Sequence, residues 1–114
     1  MSLTDTPSAH RIRQLNDRLR YTLVSGGQLI LTTGFQSLAP ARQVAFLQAL
    51  RRYHDFTPDN DPYDEHDFGA LEQDGVRVLW MIDYYDLSLR YHSPDPADPA
   101  QTRRILTVML AEEY

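Results

Sequence analysis

The dipeptide Asp74-Gly75 constrains this chain more than any other pair of residues. Both positions tolerate the positive φ that a two-residue hairpin turn demands, and runs of strand-forming residues flank them on either side. Such a turn sets a register: Gln73 opposite Val76, Glu72 opposite Arg77, Leu71 opposite Val78 and Gly69 opposite Trp80. In that register Leu71, Val78, Trp80, Ile82 and Tyr84 share one face, and the bare Gly69 leaves room for the indole. Glu72 and Arg77 are expected to pair on the other face.

Around this hairpin the sequence reads as α-β-α-loop-β-β-β-α. From His10, residues Ile12, Leu15, Leu19 and Leu23 recur at helical spacing among Arg11, Arg13, Asp17, Arg18 and Arg20, which predicts an amphipathic helix stopped by Ser25-Gly26-Gly27. The β-rich run Gln28 to Thr33 predicts a short strand ending at Gly34. Pro40 suits a first helical turn, and Val44, Phe46, Leu47, Leu50 and Tyr53 give the following helix a broad apolar face, ending near Arg51 and Arg52. Beyond the hairpin, Leu87, Leu89 and Tyr91 alternate with Ser88, Arg90 and His92, predicting a third antiparallel strand over Asp86 to His92. In the rigid connector Ser93-Pro-Asp-Pro-Ala-Asp-Pro99, Asp98 reads as an N-cap with Pro99 first and Gln101 completing a capping pattern. A last helix to about Glu113 then buries Ile105, Leu106, Met109 and Leu110. The expected fold is α+β: a small antiparallel sheet of three to four strands packed by three helices, in the order α-β-α-β-β-β-α, forming one domain over residues 10–114 after a disordered N-terminus, residues 1–9.

The totals fit that picture. A chain of 114 residues, 42% hydrophobic with seven Tyr and one Trp, can bury a core without a cross-link. It has no Cys, which excludes disulfides, thiolate zinc sites and cysteine nucleophiles and permits a reducing compartment. The first thirteen residues have no apolar core like that of a signal peptide, and no run approaches a bilayer span, so the expectation is a cytoplasmic protein with no membrane partner. The formal net charge is −5 and every basic residue is Arg. That balance disfavours nucleic acid as a partner. The adjacent pairs Arg51, Arg52 and Arg103, Arg104 are better suited to neutralising acidic groups and helix carbonyls.

The acidic groups are crowded. Asp55, Asp59, Asp61, Asp64, Glu65 and Asp67 fall within thirteen residues together with His66, beside His54 and with no Arg among them. Two prolines and several Asx residues make this a loop, and the repulsion must be relieved by a cation, by backbone N–H groups or by Arg partners. An EF-hand is excluded: counted from Asp59, Asp64 stands where glycine is required and Ala70 where glutamate is required. A mixed site for Zn, Mn or Fe from His54, His66, Asp67 and His92 is chemically reasonable but lacks any helical ligand spacing. Asx-turns and capping inside a rigid loop are the stronger reading, so no cofactor is predicted beyond a divalent metal as an option. Glu65, His66 and Asp67 are the candidate acid-base groups. No nucleophile elbow, phosphate loop or dinucleotide fingerprint occurs. Asp83, Tyr84, Tyr85 and Asp86 form a polar-aromatic patch that serves either as a recognition surface or, through a Tyr hydroxyl, as an anchor for the loop.

Six segments carry a resemblance: Asn16-Asp-Arg-Leu, Phe56-Thr-Pro-Asp-Asn-Asp-Pro-Tyr, Glu65-His-Asp-Phe-Gly, Ile82-Asp-Tyr-Tyr-Asp, the Ser93 to Pro99 connector and Leu106-Thr-Val-Met-Leu-Ala. Together they resemble the bacterial domain of unknown function numbered 3768, which occurs mostly in alphaproteobacteria and often on plasmids or other mobile elements. The resemblance implies no activity. The family pattern has a glycine where this chain has Asp64, and a glycine or other small residue where it has His92. If that glycine serves a positive-φ turn, Asp is among the few replacements the position tolerates.

The leading expectation is an accessory or interaction protein that presents Asp59, Asp61, Asp64, Asp83, Tyr84, Tyr85 and Asp86 to a protein or small ligand, with homo-oligomerisation permitted. The alternatives are a metal-dependent hydrolase or nuclease built on the His/Asp loop, and an acidic mimic acting against a nucleic-acid-binding defence protein. Mimicry requires carboxylates in extended rows.

Overall fold

In the computed structural model, which describes residues 7–114, the chain runs as α1 (Pro7–Thr22), β1 (Gln28–Leu31), α2 (Thr33–Gln36), α3 (Pro40–Arg51), β2 (Phe68–Gln73), β3 (Val76–Tyr85) and β4 (Arg103–Leu110), closing on a 3-10 turn, Ala111–Glu113. The hairpin forms in the register its turn dictates, and both turn residues take positive φ, Asp74 at 52° and Gly75 at 78°. Val78, Trp80, Ile82 and Tyr84 are buried on one face, where they meet Phe46 and Leu50 of α3 and Ile12 and Leu19 of α1. Gly69 is needed beneath the indole: a Cβ there would lie 2.4 Å from Trp80 Nε1 and 2.8 Å from the Tyr53 ring. Glu72 and Arg77 stand opposite each other on the second face, but no ion pair joins them among the described residues.

The class is α+β, with the strand order β1-β4-β3-β2. The sheet is mixed rather than wholly antiparallel, because β1 lies parallel to β4. The reason is the crossover. From β1 the chain passes through α2 and α3 to the far edge and enters β2 in the same direction, and the meander β2-β3-β4 then returns β4 beside β1.

Several elements differ from the sequence expectation. Pro7 to Ala9 belong to α1, and the disorder expected for residues 1–6 lies outside the described residues. α1 ends at Thr22, earlier than the glycine pair: Leu23 adopts φ 66° while its N–H still reaches the Leu19 carbonyl at 2.7 Å. The strand expected to reach Gly34 stops at Leu31, because the Thr32 hydroxyl caps α2 by accepting from the Phe35 N–H.

Residues 86–92 form a turn in place of the expected third strand. The Asp86 carboxylate accepts from the Ser88 hydroxyl and from the N–H groups of Arg90 and Tyr91, and only the bridge between Tyr85 and His92 remains of the ladder. The final helix is a strand. Asp98 does cap, accepting from the Ala100 N–H and the Gln101 amide, but it closes a single turn. The chain then enters β4, which lies between β1 and β3. A central strand with apolar residues on both faces gives an unbroken apolar run, here around Ile105 and Leu106, whose spacing mimics a helical face.

All three helices lie on the Trp80 side. On the other side of the sheet, Phe68, Leu79, Met81, Ile105 and Met109 stand outside the core cluster and its packed neighbours. No helix among the described residues is long and apolar enough to cross a membrane.

Candidate functional site

The polar residues of α1 form a second row beside its apolar stripe. Arg13, Asn16, Asp17 and Arg20 are spaced i, i+3, i+4 and i+7, which puts them on one side of the helix. That row faces the acidic loop and holds it against the sheet.

Asn16, fully buried, is the centre of the arrangement. Its amide donates to the Glu65 carbonyl at 3.0 Å and to the Tyr84 hydroxyl at 2.7 Å, and its oxygen accepts from Arg104 Nε at 2.6 Å. The Tyr84 hydroxyl in turn donates to the Glu65 carboxylate at 2.9 Å. Arg104, also buried, stacks its guanidinium 5.0 Å from the Tyr84 ring centre and donates to the Pro96 carbonyl. Helix, loop, sheet and the Ser93–Pro99 connector are thus joined through one set of side chains.

A second group lies beside it. His66 stacks flat on Phe56, with ring centres 3.8 Å apart, and its Nδ1 lies 2.9 Å from Asp17 Oδ1. Its Nε2 is 3.7 Å from Asp61 and 3.6 Å from Asp64. Asp61 is only 6% exposed and accepts from the N–H groups of Glu65, at 3.0 Å, and His66, at 3.2 Å. Asp64 is paired with Arg13. Arg20, 1% exposed, donates to Asp17 at 2.9 Å and to the carbonyls of Leu50 and Tyr53. The loop backbone bends to allow this, with φ 56° at both Asp64 and His66. Asp tolerates the positive φ at position 64 better than most residues do.

Two groups in this region titrate abnormally. Burial, reinforced by the charges of Glu65 and Asp61, pushes the Asp67 carboxyl up to about 6. The Tyr84 hydroxyl is held well above its ordinary range, first by burial and then by the charges of Asp67 and Glu65.

The sequence candidates therefore divide. Asp64, Glu65 and His66 meet Arg13, Asn16 and Asp17 of α1, and Asp61 lies beside His66, whereas Asp67 stands outside this group. One ligand atom from each of Asp61, Asp64 and His66 lies within 4.8 Å of the others, an arrangement that could hold a cation. His54 and His92 do not join that group. The His54 side chain is 89% exposed, and the His92 Nδ1 contacts the Ser93 carbonyl at 2.9 Å. Asp59 and Asp83 are exposed, and Asp86 serves its turn. Tyr84 is buried, with its hydroxyl committed, so it anchors the loop and does not form a recognition surface; Tyr85 is half-buried on the opposite face. The Arg pairs do not neutralise the loop as a set. Arg51 Nε donates to the Tyr21 carbonyl and Arg103 Nε to the Leu87 carbonyl, while Arg104 alone reaches the network. The residues missed from the sequence are Arg13, Asn16, Asp17 and Arg20, and their signal was the polar i, i+3, i+4, i+7 row.

Three surface cavities of about 310, 300 and 480 Å3 lie elsewhere, and none of the three is lined by a loop carboxylate. No curated protein and no solved structure matches the chain. A family model matches residues 31–113, taking in the acidic loop and β2 to β4 but not α1. That model is described as Protein of unknown function (DUF3768), and the chain belongs to this family.

Proposed function

We propose that the chain is a cytoplasmic, non-enzymatic interaction domain that presents the outer rim of its acidic loop, Asp55, Asp59 and Tyr63 beside His54, to a basic segment of a partner protein. The supporting observation is the division within the loop. Its inner half is engaged by the protein itself: Asp61 by two backbone N–H groups, Asp64 by Arg13, Glu65 by Tyr84 and His66 by Asp17. Its outer half is open, with Tyr63 69% exposed and the Asp55 side chain 81% exposed. A rigid loop that offers an aromatic ring and carboxylates is suited to binding, because little order is lost on contact. Mimicry of nucleic acid has no such support, since the inner carboxylates Asp61 and Asp64 gather in a compact group with His66 and do not form an extended row.

The triple variant Asp55→Asn, Asp59→Asn, Tyr63→Ala tests this reading. It should melt like the wild type yet lose the partner that the wild type captures from its host extract; retention of that partner would sink the proposal.

A second reading is favoured by the Asp61, Asp64 and His66 geometry: these three, with Asp17 alongside, would take Zn, Mn or Fe. Binding would require Arg13 to release Asp64 and the backbone N–H groups to share Asp61. The measurement is the melting temperature with Mn, Zn, Mg and Ca, each in excess, together with metal analysis. An upward shift lost in His66→Ala supports the site, and no shift with any of the four removes it.

A further inference from the structure

The face of the sheet opposite the three helices is apolar, where a sheet facing water is normally polar. Its outward positions include Phe68, Met81 and Met109, which are half-buried, and Leu79 and Ile105, which are buried; none of the five belongs to the cluster packed by the helices. Cross-strand partners build a continuous surface: Phe68 opposite Met81, Met81 opposite Thr107 and Leu79 opposite Met109. Its charges lie towards the two ends, with Glu72 and Arg77 at one and Asp83 and Arg103 at the other. Two of each sign give no net field to select a polyanion or a polycation.

We propose that this face is covered by a second copy of the same chain, in a two-fold dimer whose sheets stack face to face. The argument is self-complementarity along β3. Its outward residues run Arg77, Leu79, Met81, Asp83: a cation, two apolar groups and an anion. A two-fold axis crossing the strands midway between Leu79 and Met81 sets Arg77 of each copy over Asp83 of the other, and Leu79 over Met81. The same axis puts Met109 over Thr107 and Ala70 over Phe68, so the central contacts match apolar groups with apolar groups or threonine. An axis along β3 would instead stack Arg77 on Arg77 and Asp83 on Asp83, which like-charge repulsion opposes. Arg77 and Asp83 are exposed, and among the described residues neither side chain has a hydrogen-bond or ion-pair partner, so both are available to bridge the roughly 10 Å between stacked sheets. A C2 dimer of this kind is the commonest homo-oligomer. It leaves the acidic loop rim free, so this inference stands independently of the proposed function.

Sedimentation equilibrium of the full chain from about 1 to 100 μM, a range in which an interface of ordinary size and quality dissociates, reads the association. The wild type should be dimeric at the upper end. Arg77→Asp and Asp83→Arg, each singly, should weaken the dimer about tenfold or more by setting like charges face to face, and combining the two should restore it. Met81→Asp, at the centre of the face, should give monomer at every concentration while retaining the wild-type circular dichroism. A wild type that stays monomeric overturns the proposal. So does a dimer indifferent to Met81→Asp and both charge reversals, which would then use another surface. Failure of the double reversal to recover association, in a protein that melts normally, overturns the stated axis.

Discussion

Replacing Asp67 with Asn should stabilise the protein at neutral pH. The carboxyl is pushed from its ordinary 3.8 up to about 6, first by burial and then by the charges of Glu65 and Asp61. Between those values the native chain holds a proton that the unfolded chain has released. This residue's contribution therefore lowers stability as pH rises from about 4 to about 6, and is constant above that. The gap of about 2 pH units corresponds to at most about 3 kcal/mol. Asp67 is only part-buried, so screening by solvent reduces the figure to about 1–2 kcal/mol. Asn has the same shape and no charge to bury, so the variant avoids this cost. Urea unfolding of both proteins at intervals from pH 4 to pH 8 reads the difference directly, and the subtraction cancels carboxylates common to the two. The variant should be more stable by about 1–2 kcal/mol at pH 7.5, equivalent to several degrees in Tm, with the gap closing by about pH 4. A variant less stable at pH 7.5, or a difference that does not change with pH, would refute the reasoning and show that the charged carboxylate has a favourable partner.

Other substitutions test the packing and the brace. Gly69→Ala drives a methyl into Trp80 and Tyr53 and should cost about 1–3 kcal/mol in urea unfolding; an unchanged midpoint would mean that the sheet yields there. Asn16→Ala leaves Arg104 Nε and the Glu65 carbonyl without their partner in the interior, and should cost about 2–4 kcal/mol. The acidic loop should then exchange its amides faster than the hairpin does, and uniform loss of protection would contradict the bracing role. At Asp64, with φ 56°, Gly should be tolerated to within about 1 kcal/mol despite the lost Arg13 pair, whereas Val should cost about 1–2 kcal/mol more than Gly.

The hairpin was legible because its determinants are local. Asp74-Gly75 admits few turns, a two-residue turn fixes the pairing of every residue that follows, and Gly69 opposite Trp80 is a direct consequence of that count. The same locality made the loop and α3 readable from their prolines, Asx residues and apolar spacing. β4 was not readable in this way. Ile105, Leu106, Met109 and Leu110 fit a helical face as well as a strand, and the choice was made by neighbours from distant parts of the chain, β1 on one side and β3 on the other. The turn at 86–92 shows the converse: alternation is present, but no strand is available to pair with it beyond the bridge at His92.

The site divides along the same line. Local composition was enough to mark residues 54–67 as a crowded acidic loop whose repulsion needed relief, and to leave Asp64 the positive φ it adopts. Which groups supply that relief is a matter of separation in sequence: Asn16 meets Tyr84 across 68 residues and Arg104 across 88. The sequence left Tyr84 between two roles, part of a recognition surface or an anchor for the loop, because its alternation put it on the Trp80 face while its neighbours are polar. Only the docking of α1 over that end of β3 decided that its hydroxyl would be buried and used to hold the loop.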